Sequence, residues 1–313
     1  MKKIFDLNKD RSAISAVLVI IVVAIVVVAA VAAYVVLSGE DEEKILAPGS
    51  KLEYDYEIEG EDVNGIMNME IVGQSNVNYF ARLVVTVSTV GSEETQYLLF
   101  SKEDAAPEDA VKTGTEVIDT IDGKKTLDVW EKIEGDSKMI LYTDSEVIYL
   151  IKQEIDLGTE VMVFSFTLKS KELIYQKISS YKQSDDIGRK ATYEYTAAGG
   201  TLRLVNECVA DCEDNKFAVS QTTYFNGSQI STESPCYMSE SPYGVIIGSV
   251  DTGTTALVNT IDGQKTLEIW EFDQRSSTGT MIYYFVDSDT GLVYAISQVS
   301  SLVTIGLALT SYD

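Results

Sequence analysis

Two hydrophobic patterns divide this chain. From Ala13 to Leu37 the sequence AISAVLVIIVVAIVVVAAVAAYVVL is apolar without interruption, with no charge and no proline. Twenty-five residues of α-helix rise about 37 Å, enough to cross a hydrocarbon core of about 30 Å with some tilt. After residue 50 the pattern becomes alternation. Met162, Phe164, Phe166 and Leu168 fall on one side of an extended chain, and Val163, Ser165 and Thr167 on the other. A period of two indicates a strand in a sheet with one buried face. Turn signals at Asp122-Gly123, Glu134–Ser137, Asp144-Ser145 and Leu157-Gly158 separate such runs into a meander. Asp-Gly between β-rich runs predicts a type I′ hairpin, which needs positive φ at both central residues. Ser101-Lys102-Glu103-Asp104 reads as the start of a short helix capped by Ser101.

The alternating region repeats. Thr120-Ile121-Asp122-Gly123-Lys124-Lys125-Thr126-Leu127-Asp128-Val129-Trp130-Glu131 returns as Thr260-Ile261-Asp262-Gly263-Gln264-Lys265-Thr266-Leu267-Glu268-Ile269-Trp270-Glu271, with nine of twelve positions identical at an offset of 140. Tyr54-Asp55-Tyr56 returns as Tyr193-Glu194-Tyr195, and Val147-Ile148-Tyr149 as Leu292-Val293-Tyr294. Met162, Phe164, Phe166 and Leu168 return as Val303, Ile305, Leu307 and Leu309, so the buried face recurs too. A period this long means two domain-sized units, since solenoid repeats run about 20–50 residues. The expected fold class is mainly β, an N-terminal transmembrane helix followed by two tandem-duplicated antiparallel β lobes. The expected segments are a cytoplasmic N-terminus (1–12), the helix (13–37), an acidic linker (38–50), lobe one (51–170), a connector (171–189) and lobe two (190–313). A curved sheet closing over an apolar face resembles, at the level of fold, the half-barrel class of envelope lipid-handling proteins.

Charge limits what the outer part can meet. The 313-residue chain carries 24 basic and 49 acidic residues, and residues beyond 37 hold 20 and 47 of them. So acidic a surface repels nucleic acid and anionic lipid. Histidine is absent. That removes the commonest general base and transition-metal ligand, and excludes Ser-His-Asp triads and Cys-His dyads. No phosphate-cradling glycine loop, Gly-x-Ser-x-Gly elbow or Cys-x-x-Cys occurs. The expectation is a non-enzymatic protein without a cofactor or metal.

Topology follows from the flanks of the apolar run. Lys2, Lys3, Lys9 and Arg11 precede it and Glu40, Asp41, Glu42 and Glu43 follow it. Positive residues on one side place the N-terminus in the cytoplasm and the bulk outside the cell membrane. Ala30-Val31-Ala32 offers a signal-peptide cleavage site, but the run continues past it to Leu37. Arg11-Ser12-Ala13-Ile14-Ser15-Ala16-Val17, with charge before and a Val/Ile/Ala helix after, resembles the start of archaeal type IV pilin-like proteins. The resemblance covers residues 9–37. It implies peptidase cleavage between Ala13 and Ile14 and self-assembly of the helices into a filament core. The fifth residue after that cut is Leu18, where bacterial type IV pilins commonly have glutamate. A single-pass anchor and a filament subunit are thus both open.

A few residues are candidates for function. Trp130 and Glu131, with Trp270 and Glu271, could face a ligand groove, giving two similar sites for an unknown extracytoplasmic ligand or protein. Their structural reading is a hairpin whose tryptophan packs on a core edge. Cys208, Cys212 and Cys236 cluster in the second half of a chain placed outside the cell, so one disulfide between Cys236 and either other cysteine is expected. Asn226-Gly227-Ser228 is both a glycosylation sequon and a turn signal. Asp287-Ser288-Asp289-Thr290-Gly291 opens like a calcium loop, but Gln298 stands where the twelfth-position glutamate belongs. A tight turn is expected there.

Overall fold

The computed structural model describes residues 44–313 apart from 89–90, 102–109, 145–146, 157–160, 198, 231–235, 276–278 and 302. The expected membrane helix, its flanks, the Ala13–Ile14 cut and most of the short helix expected after Ser101 lie outside the described residues. Among the described residues no helix is long and apolar enough to cross a membrane. Strands hold 73% of them and no α-helix occurs, so the protein is mainly β with antiparallel pairing. The chain divides into two units, one of residues up to 72 and 77–181, the other of 73–76 and 182–313.

Unit one begins with a short strand β1 (Lys44–Leu46), then β2 (Lys51–Ile58) and β3 (Asn64–Gln74), whose last two residues group with unit two. It continues with β4 (Asn78–Val87), β5 (Ser92–Ser101), β6 (Val111–Thr120) and β7 (Gly123–Glu134). β8 (Ser137–Thr143), β9 (Ile148–Asp156), β10 (Val161–Glu172) and β11 (Tyr175–Lys177) complete it. The ladder runs β6-β7-β8-β9-β10-β2-β3. The β4–β5 hairpin follows β3, whose Asn64 carbonyl accepts the Ser88 N–H at 2.9 Å.

Unit two contains β12 (Lys190–Ala197), β13 (Gly200–Cys212), β14 (Phe217–Phe225), β15 (Ser228–Gln229) and β16 (Cys236–Ser239). β17 (Val250–Thr260), β18 (Gly263–Gln274), β19 (Thr280–Val286), β20 (Val293–Ser300) and β21 (Thr304–Tyr312) follow. Its ladder runs β17-β18-β19-β20-β21-β12-β13-β14-β16. The meander β17–β21 pairs back onto β12 through β21, as the meander β6–β10 pairs back onto β2 through β10 in unit one.

The alternation in the sequence sorts core from surface. In unit one the register places Trp130, Leu141, Ile151, Phe166, Tyr56 and Gly65 in one row across six strands. Phe164, Phe166, Leu168, Tyr54 and Tyr56 are buried in that unit's core. In unit two Leu307, Leu309, Tyr193, Tyr284 and Ile296 are buried together, whereas Val303, just ahead of β21, is 54% exposed. Residues 44–50, which the sequence places in the linker, pack against unit one. Leu46 and Ala47 are buried, and Ala47 N–H donates to the Ile174 carbonyl at 2.8 Å.

The Asp-Gly turns differ from expectation. Among the described residues the non-glycine positions at positive φ are Asp214, Asn215 and Asn226. Asp122 therefore lacks the positive φ that a type I′ turn centred on Asp122-Gly123 requires, and Asp262 lacks it in the copy. Only Gly123 (φ 92°) and Gly263 (φ 95°) turn left-handed, the arrangement of a type I turn closed by a glycine bulge. Asn226 (φ 50°) and Gly227 (φ 83°) do meet the type I′ requirement, between paired Phe225 and Ser228.

Candidate functional site

The two hairpin tips hold the same polar construction. Thr120 Oγ1 donates to the Gly123 carbonyl at 2.7 Å and accepts the Asp122 N–H at 3.2 Å. Thr260 makes the same bonds to Gly263 and Asp262, at 2.7 and 3.2 Å. This holds each aspartate back over the sheet. Tyr149, on β9, donates its hydroxyl to Asp122 Oδ2 at 2.5 Å, and Tyr294, on β20, donates to Asp262 Oδ2 at 2.5 Å. Lys125, on β7, donates to Asp144 Oδ2 at 2.7 Å, and Lys265, on β18, donates to Asp287 Oδ2 at 2.7 Å. Each ammonium also lies over its tyrosine ring, at 4.8 Å from the Tyr149 centroid and 4.9 Å from that of Tyr294. Such cation–π contacts add to the ion pairing.

The last strand of each unit closes the cluster differently. β10 supplies Lys171, whose Nζ lies 2.8 Å from Asp122 and donates to Tyr149 at 3.2 Å. β21 supplies Tyr312, which donates to Asp262 at 3.0 Å. In both cases an acceptor carboxylate is shared by donors from several strands, tying the hairpin tip to the sheet.

The electrostatics fix the charge states. The hydrogen bond from Lys171, then that from Tyr149, hold Asp122 down to about 2. Hydrogen bonding to Asp144 and then Tyr149 raises Lys125. Burial, and then donation to Asp262, push Tyr294 up to about 12. In unit two Asp262 is lowered first by Tyr294, Asp287 first by Lys265. All of these shifts move away from neutrality, whereas efficient proton transfer needs a group that titrates near the working pH.

A groove of about 500 Å³ opens on unit one beside this cluster, lined among others by Lys51, Glu53, Asn68, Glu70, Arg82 and Lys171. Three of its charges engage one another. Arg82 pairs with Glu70, and Lys51 lies 3.3 Å from the same carboxylate.

The residues marked from sequence are placed as follows. Trp130 and Glu131 are neighbours on one strand, so they project to opposite faces. Trp130 packs against the unit-one core with its Nε1 buried and without a hydrogen-bond partner. Glu131 pairs with Lys138 at 3.1 Å. Trp270 packs against the unit-two core and donates to Glu268 at 3.3 Å, while Glu271 points to the other face. The structure places Trp130 and Glu131 on opposite faces, and likewise Trp270 and Glu271. Asn226 is exposed in its turn, with Oδ1 accepting the Thr201 N–H at 2.9 Å. The Asp287–Gly291 segment is a turn, closed by Gly291 N–H donating to the Asp287 carbonyl at 2.8 Å. Among the described residues no group of carboxylates or cysteines could hold a metal ion.

The expected disulfide is corrected. Cys208, Cys212 and Cys236 are all thiols. Cys236 sits on β16 opposite Ser220 of β14, and Cys208 on β13 opposite Val219 of β14. A whole strand thus separates Cys236 from the other two. Two ladder steps are about 9.5 Å, beyond the reach of a disulfide at about 7 Å between Cα atoms. Cys208 and Cys212 are four residues apart on one strand, on the order of 10 Å or more even with the local bulge. Sequence proximity suggested a bridge that strand order forbids.

The Lys-Asp-Tyr cluster is the construction that sequence reading missed. Its parts were visible inside the repeated hairpin and the repeated Val-Ile-Tyr stretch. The signal was that a polar residue in each stretch, Lys125 and Tyr149, recurs unchanged as Lys265 and Tyr294.

No family model matches the chain, and no curated protein matches it. Among solved structures, the chain is similar to the crystal structure of MucB in complex with MucA(peri). The match has 7% identity and a TM-score of 0.26, and covers 84% of this chain and 87% of that one.

Proposed function

We propose that this chain is a single-pass membrane protein with residues 13–37 as its span, its N-terminus in the cytoplasm and its β units outside the cell. The two units descend from one tandem duplication and act together as a non-enzymatic binding or structural module. The observation that carries this reading is the repeated Lys-Asp-Tyr cluster. The titratable groups that recur in both copies engage one another, and their shifts lead away from neutral pH. That suits a scaffold kept rigid in both copies better than an acid–base site. The groove of unit one is the place for a ligand to dock, its lining of both charge signs favouring a polar zwitterionic or peptide-like partner over nucleic acid.

The second reading is a pilin-like filament subunit assembled through the N-terminal helix, favoured by the Arg11–Val17 stretch. Mass spectrometry of the native N-terminus separates the two. An intact Met1 or Lys2 supports the anchor, whereas Ile14 as first residue replaces it with the filament. The non-enzymatic reading is tested in the cluster itself. Lys125→Met should alter stability while leaving ligand capture by the groove intact. Loss of a catalysed turnover on that substitution would overturn it.

A further inference from the structure

We propose that strand β17 is a self-association edge, on which a second copy of this chain adds its own β17 in antiparallel register. Among the described residues β17 forms a ladder with β18 alone, and its counterpart β6 with β7 alone. Each is therefore the edge of its unit's sheet, and an open edge is a template for strand addition. Both edges are bulged near their starts, between Lys112 and Gly114 and between Asp251 and Thr255. Bulges blunt those halves. What remains regular is Thr115–Thr120 in β6 and Thr255–Thr260 in β17.

The two remaining segments differ in one respect. TEVIDT in β6 carries Glu116 and Asp119, charges of the kind that protect an edge. TALVNT in β17 has Ala256 and Asn259 in those places and no charge at all. It also has Leu257 at 65% exposure. Two chains of net charge −25 repel one another, so they meet most readily where neither presents charge.

The uncharged segment is also complementary to itself. In the two-fold antiparallel register centred on Leu257, Leu257 faces Leu257, Ala256 faces Val258, and Thr255 faces Asn259. Apolar residues meet apolar and neutral polar residues meet polar, which is what stabilises cross-strand pairs. The contact is isologous and closes as a dimer. The same register in β6 sets Glu116 against Ile118 and Thr115 against Asp119. The association therefore belongs to unit two.

The test is cross-linking of the full-length chain in detergent under mild oxidation. Leu257→Cys places two thiols directly opposite each other in this register, within disulfide reach. The expected result is an adduct of twice the chain mass. Val117→Cys, the matching position of β6, should give none. Adding Ala256→Glu and Asn259→Asp, the charges β6 already tolerates, should lower the Leu257→Cys yield about tenfold. Equal yields from Leu257→Cys and Val117→Cys would overturn the proposal. So would cross-linking that survives the two added charges, which would mark collision through the N-terminal segment. An adduct of any other mass would assign the edge to a different partner and overturn the second copy as occupant.

Discussion

Lys125 donates to the Asp144 carboxylate at 2.7 Å, joining the hairpin β7 to the turn after β8. The same ammonium donates to Tyr149 at 2.6 Å and lies 3.6 Å from Asp122. One cation thus serves two carboxylates, one of which, Asp122, it shares with Lys171. Both partners are partly exposed, so the pair is worth about 0.5–1 kcal/mol rather than the value of a buried bridge. A double-mutant cycle with Lys125→Met and Asp144→Asn should show coupling of about that size in urea unfolding. Independent, additive losses would mean that the pair is incidental to the fold.

Asp122 gives the cluster a pH signature. Its folded-state value, about 2, lies below the ordinary 3.8. A depressed carboxylate contributes stability that is present above the unfolded value and lost as pH falls through the folded one. Unfolding midpoints should therefore be flat above about pH 4 and fall between about pH 4 and pH 2. Asp122→Asn should lower stability at neutral pH and flatten part of that acid slope. An unchanged slope in this variant would remove Asp122 as the titrating group.

The strand class and the core face were legible because they rest on period two, which Met162–Leu168 and its copy display over seven residues. Leu307 and Leu309 are buried as that period requires. The turn chemistry was legible in one place and not in the other. Asn226-Gly227 adopts the two positive φ values, because asparagine tolerates the left-handed region. Asp122-Gly123 does not: the chain turns at Ile121-Asp122 between paired Thr120 and Gly123, where β-branched Ile121 disfavours the left-handed region and only Gly123 takes positive φ. The cysteines misled because distance along the chain says nothing of an intervening strand. The cluster escaped notice because its members are spread over three strands and two turns that only register brings side by side.

The tryptophans separate core packing from ligand contact. Trp130→Phe keeps most of the buried ring and removes an N–H that has no acceptor, so it should cost less than about 1.5 kcal/mol. Trp130→Ala should cost about 3–5 kcal/mol through the cavity it leaves. Glu131→Ala, on the opposite face, should stay within about 0.5 kcal/mol. Thermal unfolding followed by circular dichroism orders the three. A Glu131→Ala loss larger than that of Trp130→Ala would reverse the assignment of faces.

The thiols make a prediction about redox state. Burial is the first cause raising all three, and it pushes Cys208 and Cys212 up to about 12. Thiolates are the reactive form, so alkylation of the folded protein at neutral pH should be slow. In denaturant without reductant, three thiols per chain should titrate. A count of one would restore a disulfide and require a strand order other than β13-β14-β16.

Gly65 stands across the ladder from Tyr56, and the tyrosine ring fills the space above it. A β-carbon at Gly65 would lie 2.0 Å from the Thr86 carbonyl oxygen and 2.6 Å from Tyr56 Cε1. The first of these contacts is with backbone and cannot be relieved by a rotamer change. Gly65→Ala should therefore destabilise unit one by about 2–3 kcal/mol, the cost of overpacking a strand pair. Tyr56→Phe is the informative companion. The Tyr56 hydroxyl is buried without a hydrogen-bond partner, so deleting it removes a desolvation cost and should leave stability unchanged or raise it. Tyr56→Ala in the Gly65→Ala background should recover little, because the Thr86 carbonyl still meets the new methyl group. Near-complete recovery would instead show that the ring, and not the neighbouring backbone, demands glycine at this position.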